Sequence, residues 1–173
     1  LDIAVTPDRG YCLSIRGIAR EAALAYDVDF TDPVSLTAEL PADGPQHPID
    51  LQFGADRFTA RTLSGIDPHA PSPAYMARRL NQCGMRPVSL AVDITNYVML
   101  ELGQPMHAYD DSKLSGAMHA RYARGGESLT LLNGETLMLD GEALVIADEA
   151  RVLGLAGIMG GEGSGVQDAT TDI

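Results

Sequence analysis

Tryptophan is absent, aromatic residues amount to 5 % of the 173-residue chain, and only two cysteines occur. Cys12 and Cys83 stand far apart, in no CxxC or Cys/His spacing. That excludes a disulfide framework and a structural zinc site, and suits a reducing cytosol. Basic residues are equally short: 12 Lys and Arg against 24 Asp and Glu leave a net charge of −12. Such a chain repels polyanions at long range, which argues against a general nucleic-acid-binding surface, though not against a pocket that admits only the end of a polyanion held elsewhere. No apolar run approaches membrane-spanning length, and the start lacks the basic-then-apolar layout of a secretory leader, so a soluble protein is expected. What the chain does have is 45 % hydrophobic residues, enough for the core of one ordinary domain with a small appendage. Its 18 Gly and 10 Pro point to short strands and many corners rather than a helical bundle.

Periodicity supplies the organisation. After a turn at Thr6–Gly10, Ile15, Ile18, Ala19, Ala22 and Ala23 recur on one side of a helix spanning about Cys12 to Tyr26, with Arg16, Arg20 and Glu21 opposite. From Thr31 to Pro48 the pattern dissolves among prolines, and a domain boundary is placed there: residues 1–40 end a small helical domain with its linker, and 45–173 form the main domain. Phe58–Leu63 alternate as a short strand. Ser72-Pro73 starts a helix that Gly84 ends, with Met76, Leu80 and Cys83 as its buried stripe. A further helix runs from about Val92 to Leu102 and stops at Gly103; Asp93 or Thr95 would cap it, placing Asn96 near its N-terminus. Asn133-Gly134 and Asp140-Gly141 both read as hairpin turns of a β-meander, and Val152–Ala156 as a buried strand running into a glycine-rich turn. Helices mixed with hairpins predict an α+β fold of mixed, largely antiparallel sheets with helices on one side, a layered β/β/α arrangement with a short helical N-terminal segment.

Three segments have chemical potential. The first is Gly154-Leu-Ala-Gly-Ile-Met-Gly-Gly161, where glycines after a strand let a ligand approach bare amides. Its spacing is neither GxGxxG nor a P-loop, and a tight turn between packed strands is an equal alternative. The second is His107, in a proline-fixed loop after a helix, where a neutral imidazole could orient a water or take its proton. The plainer alternative is a histidine that hydrogen-bonds Asp110 and merely pins the loop. A metal held by His107, Asp110 and Asp111 matches no familiar ligand spacing, so no metal is expected. The third pairs Arg86, held by Pro87, with Thr95-Asn96: the arginine could meet a phosphate or carbonyl, and the asparagine could hold a water. A surface salt bridge and an ordinary cap are the alternatives there. Nothing suggests covalent catalysis.

The stretch Arg86-Pro-Val-Ser-Leu-Ala-Val-Asp-Ile-Thr-Asn-Tyr-Val-Met-Leu-Glu-Leu-Gly-Gln-Pro-Met-His-Ala-Tyr-Asp110 is similar, nearly residue for residue, to the editing segment of bacterial phenylalanyl-tRNA synthetase β subunits. Thr6-Pro-Asp-Arg9, Leu13-Ser-Ile-Arg-Gly-Ile-Ala-Arg-Glu21 and Leu155-Ala-Gly-Ile-Met-Gly-Gly161 join it in the family's order, so the resemblance spans the chain and is weakest between Asp27 and Asp56. It implies a fragment whose residues from about 50 onward hydrolyse tyrosine misacylated onto phenylalanine tRNA. His107, Asn96 and Thr95 would be catalytic. Arg86, Ala156, Gly157, Gly160 and Gly161 would bind substrate. The acidic residue that reads the tyrosine hydroxyl in the family falls just past Thr171–Ile173, making the editing domain here C-terminally truncated. The implied partners are the 3′ end of phenylalanine tRNA and the α subunit in a heterotetramer, with no membrane and a cytoplasmic location. The fragment itself would need no cofactor, ATP and Mg2+ being used by the parent synthetase. A non-catalytic scaffold or tRNA-binding module of the same enzyme is the alternative.

Overall fold

The computed structural model describes residues 2–34, 47–52 and 54–173. The fold is α+β, as the mixture of patterns predicts, and the chain forms two compact units. One contains the described parts of Leu1–Pro41 together with Pro71–Met106; the other contains those of Ala42–Ala70 together with His107–Ile173. The boundary read between Thr31 and Pro48 lies mostly outside the described residues.

The first unit is helical. The turn read at Thr6–Gly10 is a 3-10 segment over Pro7–Leu13, and the helix read from about Cys12 begins instead at Ile15, as α1 (Ile15–Tyr26). Ser14 divides them, its extended backbone freeing the side chain to accept from Gly17 N–H and donate to the Tyr11 carbonyl. The expected stripe is only partly buried: Ala23 is inside and Ile18 half-buried, whereas Ile15, Ala19 and Ala22 are exposed. The second helix, α2 (Ala74–Gln82), buries Met76 and Leu80 as expected, but Cys83 is exposed, because the helix ends before it. Helix α3 (Leu90–Leu102) ends at Gly103, whose φ of 78° is the left-handed conformation that terminates helices there. Its start differs from expectation. Ser89 is the N-cap, so Asp93 lies within the helix and is 1 % exposed. That carboxylate accepts from Val88 N–H at 2.8 Å and from the Ser72 hydroxyl, binding the α2–α3 connection to the segment preceding α2. Ser72 is spent on this contact and makes no cap for α2.

The second unit is built on a five-stranded sheet, ordered β1 (Ile49–Leu51), β2 (Met118–Tyr122), β5 (Leu144–Ala147), β6 (Val152–Leu155) and β7 (Met159–Gly160). All neighbours are antiparallel except β1 and β2, which run parallel. A separate hairpin joins β3 (Ser128–Thr130) to β4 (Thr136–Met138) through Asn133-Gly134, as that dipeptide predicts. The Asp140-Gly141 turn is not a hairpin. Gly141 lacks the positive φ that a two-residue hairpin turn demands, and the Asp140 carboxylate instead accepts from Glu142 and Ala143, passing the chain from one sheet to the other. Alternate residues of both sheets make the core, in which Leu129, Leu131 and Leu139 meet Val145, Ala147 and Val152. Each such Leu or Val side chain contributes about 1.5–3 kcal/mol when fully buried. Phe58–Leu63 form no regular strand, although Leu63 exchanges two backbone hydrogen bonds with Ile173, at 2.7 and 2.9 Å. Among the described residues no helix is long and apolar enough to cross a membrane.

Removing the Asp93 carboxylate strands the Val88 amide and the Ser72 hydroxyl. Asp93→Ala is therefore expected to destabilise the first unit by about 2–4 kcal/mol in chemical denaturation, with Asp93→Asn losing less because it retains an acceptor.

Candidate functional site

The residues read as functional divide between the two units. Arg86, Thr95 and Asn96 belong to the first; His107, Ala156, Gly157, Gly160 and Gly161 belong to the second. Arg86 is exposed in the α2–α3 connection. Since α3 starts at Leu90, Thr95 and Asn96 lie in its second turn, not at its first free amides. The Thr95 hydroxyl donates back to the Val92 carbonyl at 2.7 Å, leaving its lone pairs available. Asn96 is half-buried.

In the second unit the arrangement is tighter. β6 runs through a turn at Ala156–Ile158 into β7, and Gly157 at that turn is exposed with φ 71°. Two amides of the glycine-rich segment are already committed: Ala156 N–H donates to Leu144 at 3.0 Å and Gly161 N–H to Leu153 at 2.7 Å. Because the Gly161 bond flanks it, the Gly154–Gly160 pair does not exchange hydrogen bonds, and the Gly160 N–H is turned away from β6. Adjacent glycines open opposite faces. A Cβ on Gly161 would lie 2.7 Å from the Leu129 methyl and the Leu153 carbonyl, in the core, whereas a Cβ on Gly160 would run into the ring of His107.

His107 thus meets the glycine-rich hairpin directly, a convergence of two segments far apart in sequence. Its ring also packs edge-on to Tyr109, with centroids 4.5 Å apart and planes at 70°. Nε2 is buried without a hydrogen-bond partner among the described residues. Burial holds the imidazole's proton affinity below the ordinary 6.5, so the ring is neutral at pH 7, and the same cause pushes the Tyr109 phenol well above 10.

Asp110 does not engage His107. Its carboxylate accepts from Ser112 N–H and Oγ, at 3.1 and 2.6 Å, and from Thr170 Oγ1 at 2.7 Å. Its amide donates to Ser164, and the Asp111 amide to Asp172. The loop is therefore pinned by Asp110 to the Ser164–Asp172 segment, leaving the histidine nitrogen unspent. Sequence reasoning missed Thr170 as this partner, because nothing sets it apart from the other polar residues of Gln167-Asp-Ala-Thr-Thr-Asp172. Hydrogen bonds from Ser112 and Thr170 hold the Asp110 carboxyl below its ordinary 3.8, with a smaller contribution from the Lys113 charge. No group of three or more His, Cys, Asp or Glu side chains able to hold a metal occurs among the described residues.

Comparison with known proteins places this geometry in context. The model of the B3/4 domain matches residues 54–173. The chain is 55 % identical over 178 residues to the phenylalanine–tRNA ligase β subunit of Streptomyces avermitilis, covering 100 % of this chain and 21 % of that protein. It is 51 % identical over 175 residues to the subunit from Thermobifida fusca, and 49 % over 176 residues to that from Nocardia farcinica, with the same coverage. The chain thus spans about a fifth of the length of the curated relatives it matches.

The Asp110 staple is tested by Thr170→Val. The substitution should cost about 1–3 kcal/mol by depriving a buried carboxylate of a donor and the Gln167 amide of its acceptor. A carboxylate with lowered proton affinity stabilises the fold above its unfolded value near 3.8 and ceases to do so as pH falls through its folded value. The variant should therefore lose part of the stability difference measured between pH 7 and pH 3.

Proposed function

We propose, starting from the fact that the chain belongs to the B3/4 domain family, that it is the proofreading region of a phenylalanine–tRNA ligase β subunit and hydrolyses tyrosine esterified in error to phenylalanine tRNA. The need is physical. A pocket shaped for phenylalanine rejects an added hydroxyl only about a hundredfold, so a second, hydrolytic site must remove tyrosine. The reading rests above all on one observation: His107 keeps a neutral, buried and unpartnered Nε2 beside the glycine-rich hairpin.

Hydrolysis of an aminoacyl ester asks little of a protein beyond a positioned water and an oriented carbonyl. Water oxygen attacks the carbonyl carbon, the bond to the terminal ribose oxygen breaks, and the proton lost by water ends on that ribose oxygen. His107 Nε2 would accept the first proton and return it, its neutrality at pH 7 suiting it to do so. Asn96 and Thr95, on α3 of the first unit, would be able to hold a water through carboxamide and hydroxyl, as the family resemblance implies. The Gly157 and Gly160 amides are the ones offered to the carbonyl oxygen, since those of Ala156 and Gly161 are committed within the sheet. Arg86, exposed in its loop, would meet a phosphate near the tRNA 3′ end, supplying local positive charge to a chain of net charge −12. Substrate tRNA, the α subunit, ATP, Mg2+ and a cytoplasmic setting belong to the parent ligase in this proposal.

His107→Ala in the full-length enzyme is expected to slow release of tyrosine from tyrosyl-tRNA about 10²-fold while leaving charging with phenylalanine intact. Wild-type deacylation should decline on acidification with a midpoint below 6.5, because protonation removes the acceptor and burial delays it. A variant as fast as wild type would leave a scaffold role for the domain.

A further inference from the structure

Gly160 is not required by its own backbone. Its φ lies outside the left-handed region that favours glycine, unlike that of Gly157 in the same hairpin, so any residue could adopt its conformation. What a larger residue could not do is share the space with His107. A Cβ at Gly160 would collide with Cε1 of the imidazole and stand 2.5 Å from both Nδ1 and Nε2. Equal distances to the two nitrogens mean that the Cε1 edge faces the strand, with one nitrogen on either side. Tyr109 meets the same ring edge-on, restricting its rotation. Its register partner Gly154 is bare as well, and a Cβ there would stand 3.1 Å from Gly160 Cα, so the two strands pair closely at this point.

We propose that Gly160, beyond the backbone amide it presents, is a positioning residue: by having no side chain it lets the His107 imidazole seat against β7 in a single orientation, and a side chain there would act on hydrolysis through that ring. The kinetic part of this proposal rests on the editing reading; the steric part does not. Displacing a reacting group by about 1 Å is enough to cost 10²-fold in rate.

The test uses full-length β subunit assembled with its α subunit, as wild type, Gly160→Ala, His107→Ala and the double variant. Carbethoxylation of His107 by diethyl pyrocarbonate, read by peptide mass spectrometry, should rise several-fold in Gly160→Ala, with His47, His69 and His119 labelled as in wild type. Deacylation of tyrosyl-tRNA should lose about 10²-fold in kcat with KM essentially unchanged, as expected for displacement of a catalytic group rather than loss of binding. In thermal unfolding, the penalty of Gly160→Ala should disappear in the His107→Ala background, where the methyl has room. If Gly160→Ala fails to fold, the double variant decides: recovered folding supports the proposal, and continued failure overturns it. Unchanged labelling of His107 overturns the proposal and leaves the hydrolytic reading standing. Faster labelling with unchanged deacylation supports the steric part and overturns both the kinetic part and the proton-accepting role given to His107.

Discussion

A buried carboxylate with all its partners in place holds the second unit's loop in register. Asp110 is 9 % exposed, and without Ser112 and Thr170 it would be a charge short of solvent with only the Lys113 ammonium, 3.7 Å away, to balance it. Satisfied, it becomes a fixed point from which the backbone on either side is defined: Tyr109 is bridged to Gly165, and the Asp111 amide is bonded to Asp172. The orientation of His107, three residues upstream, follows from that fixed point together with the bare face of β7. Stability and site geometry are therefore set by different residues in one short segment, which leaves the histidine nitrogen free of structural duty.

Much of this could be read from the residues, and the failures have physical causes. Gly103 stops α3, Met76 and Leu80 are buried, and Asn133-Gly134 turns a hairpin, because each of these signals is local and its chemistry is sufficient in itself. Asp93 was misjudged because an aspartate early in a helix resembles a cap; only the tertiary contacts with Val88 and Ser72 reveal a buried acceptor. Asp140-Gly141 was misjudged for the converse reason. The turn forms, but the destination of the chain beyond it depends on which sheet has an open place for β5. β1 shows three exposed residues and a parallel partner, a combination that leaves almost no periodic trace.

For the candidate site, residue types were legible and their duties were not. Glycines after a strand suggested open amides, whereas the hairpin uses Gly161 to fit against the core and Gly160 to admit an imidazole. Such steric service is silent in sequence, since glycine is equally the residue of tight turns, of ligand approach and of close packing. A histidine followed by an aspartate suggested a pair, whereas the aspartate finds its partners in Ser112 and, much further along the chain, Thr170. The charge deficit of the whole chain is likewise compatible with a polyanionic substrate only through local exceptions such as Arg86.

The parallel edge strand has a consequence for the order of assembly. Joining Ile49–Leu51 to Met118–Tyr122 requires closure of the entire stretch between them, whereas β5, β6 and β7 follow one another through short connections. Loop-closure entropy must be met before that distant pairing returns anything, so the edge should form late and detach early. Whenever it is undocked, the open flank of β2 is a row of unpaired peptide groups beside Met118 and Ala120, the sort of template on which a second polypeptide can misassemble. In a nascent chain, protection against aggregation would then depend on the timing of three residues.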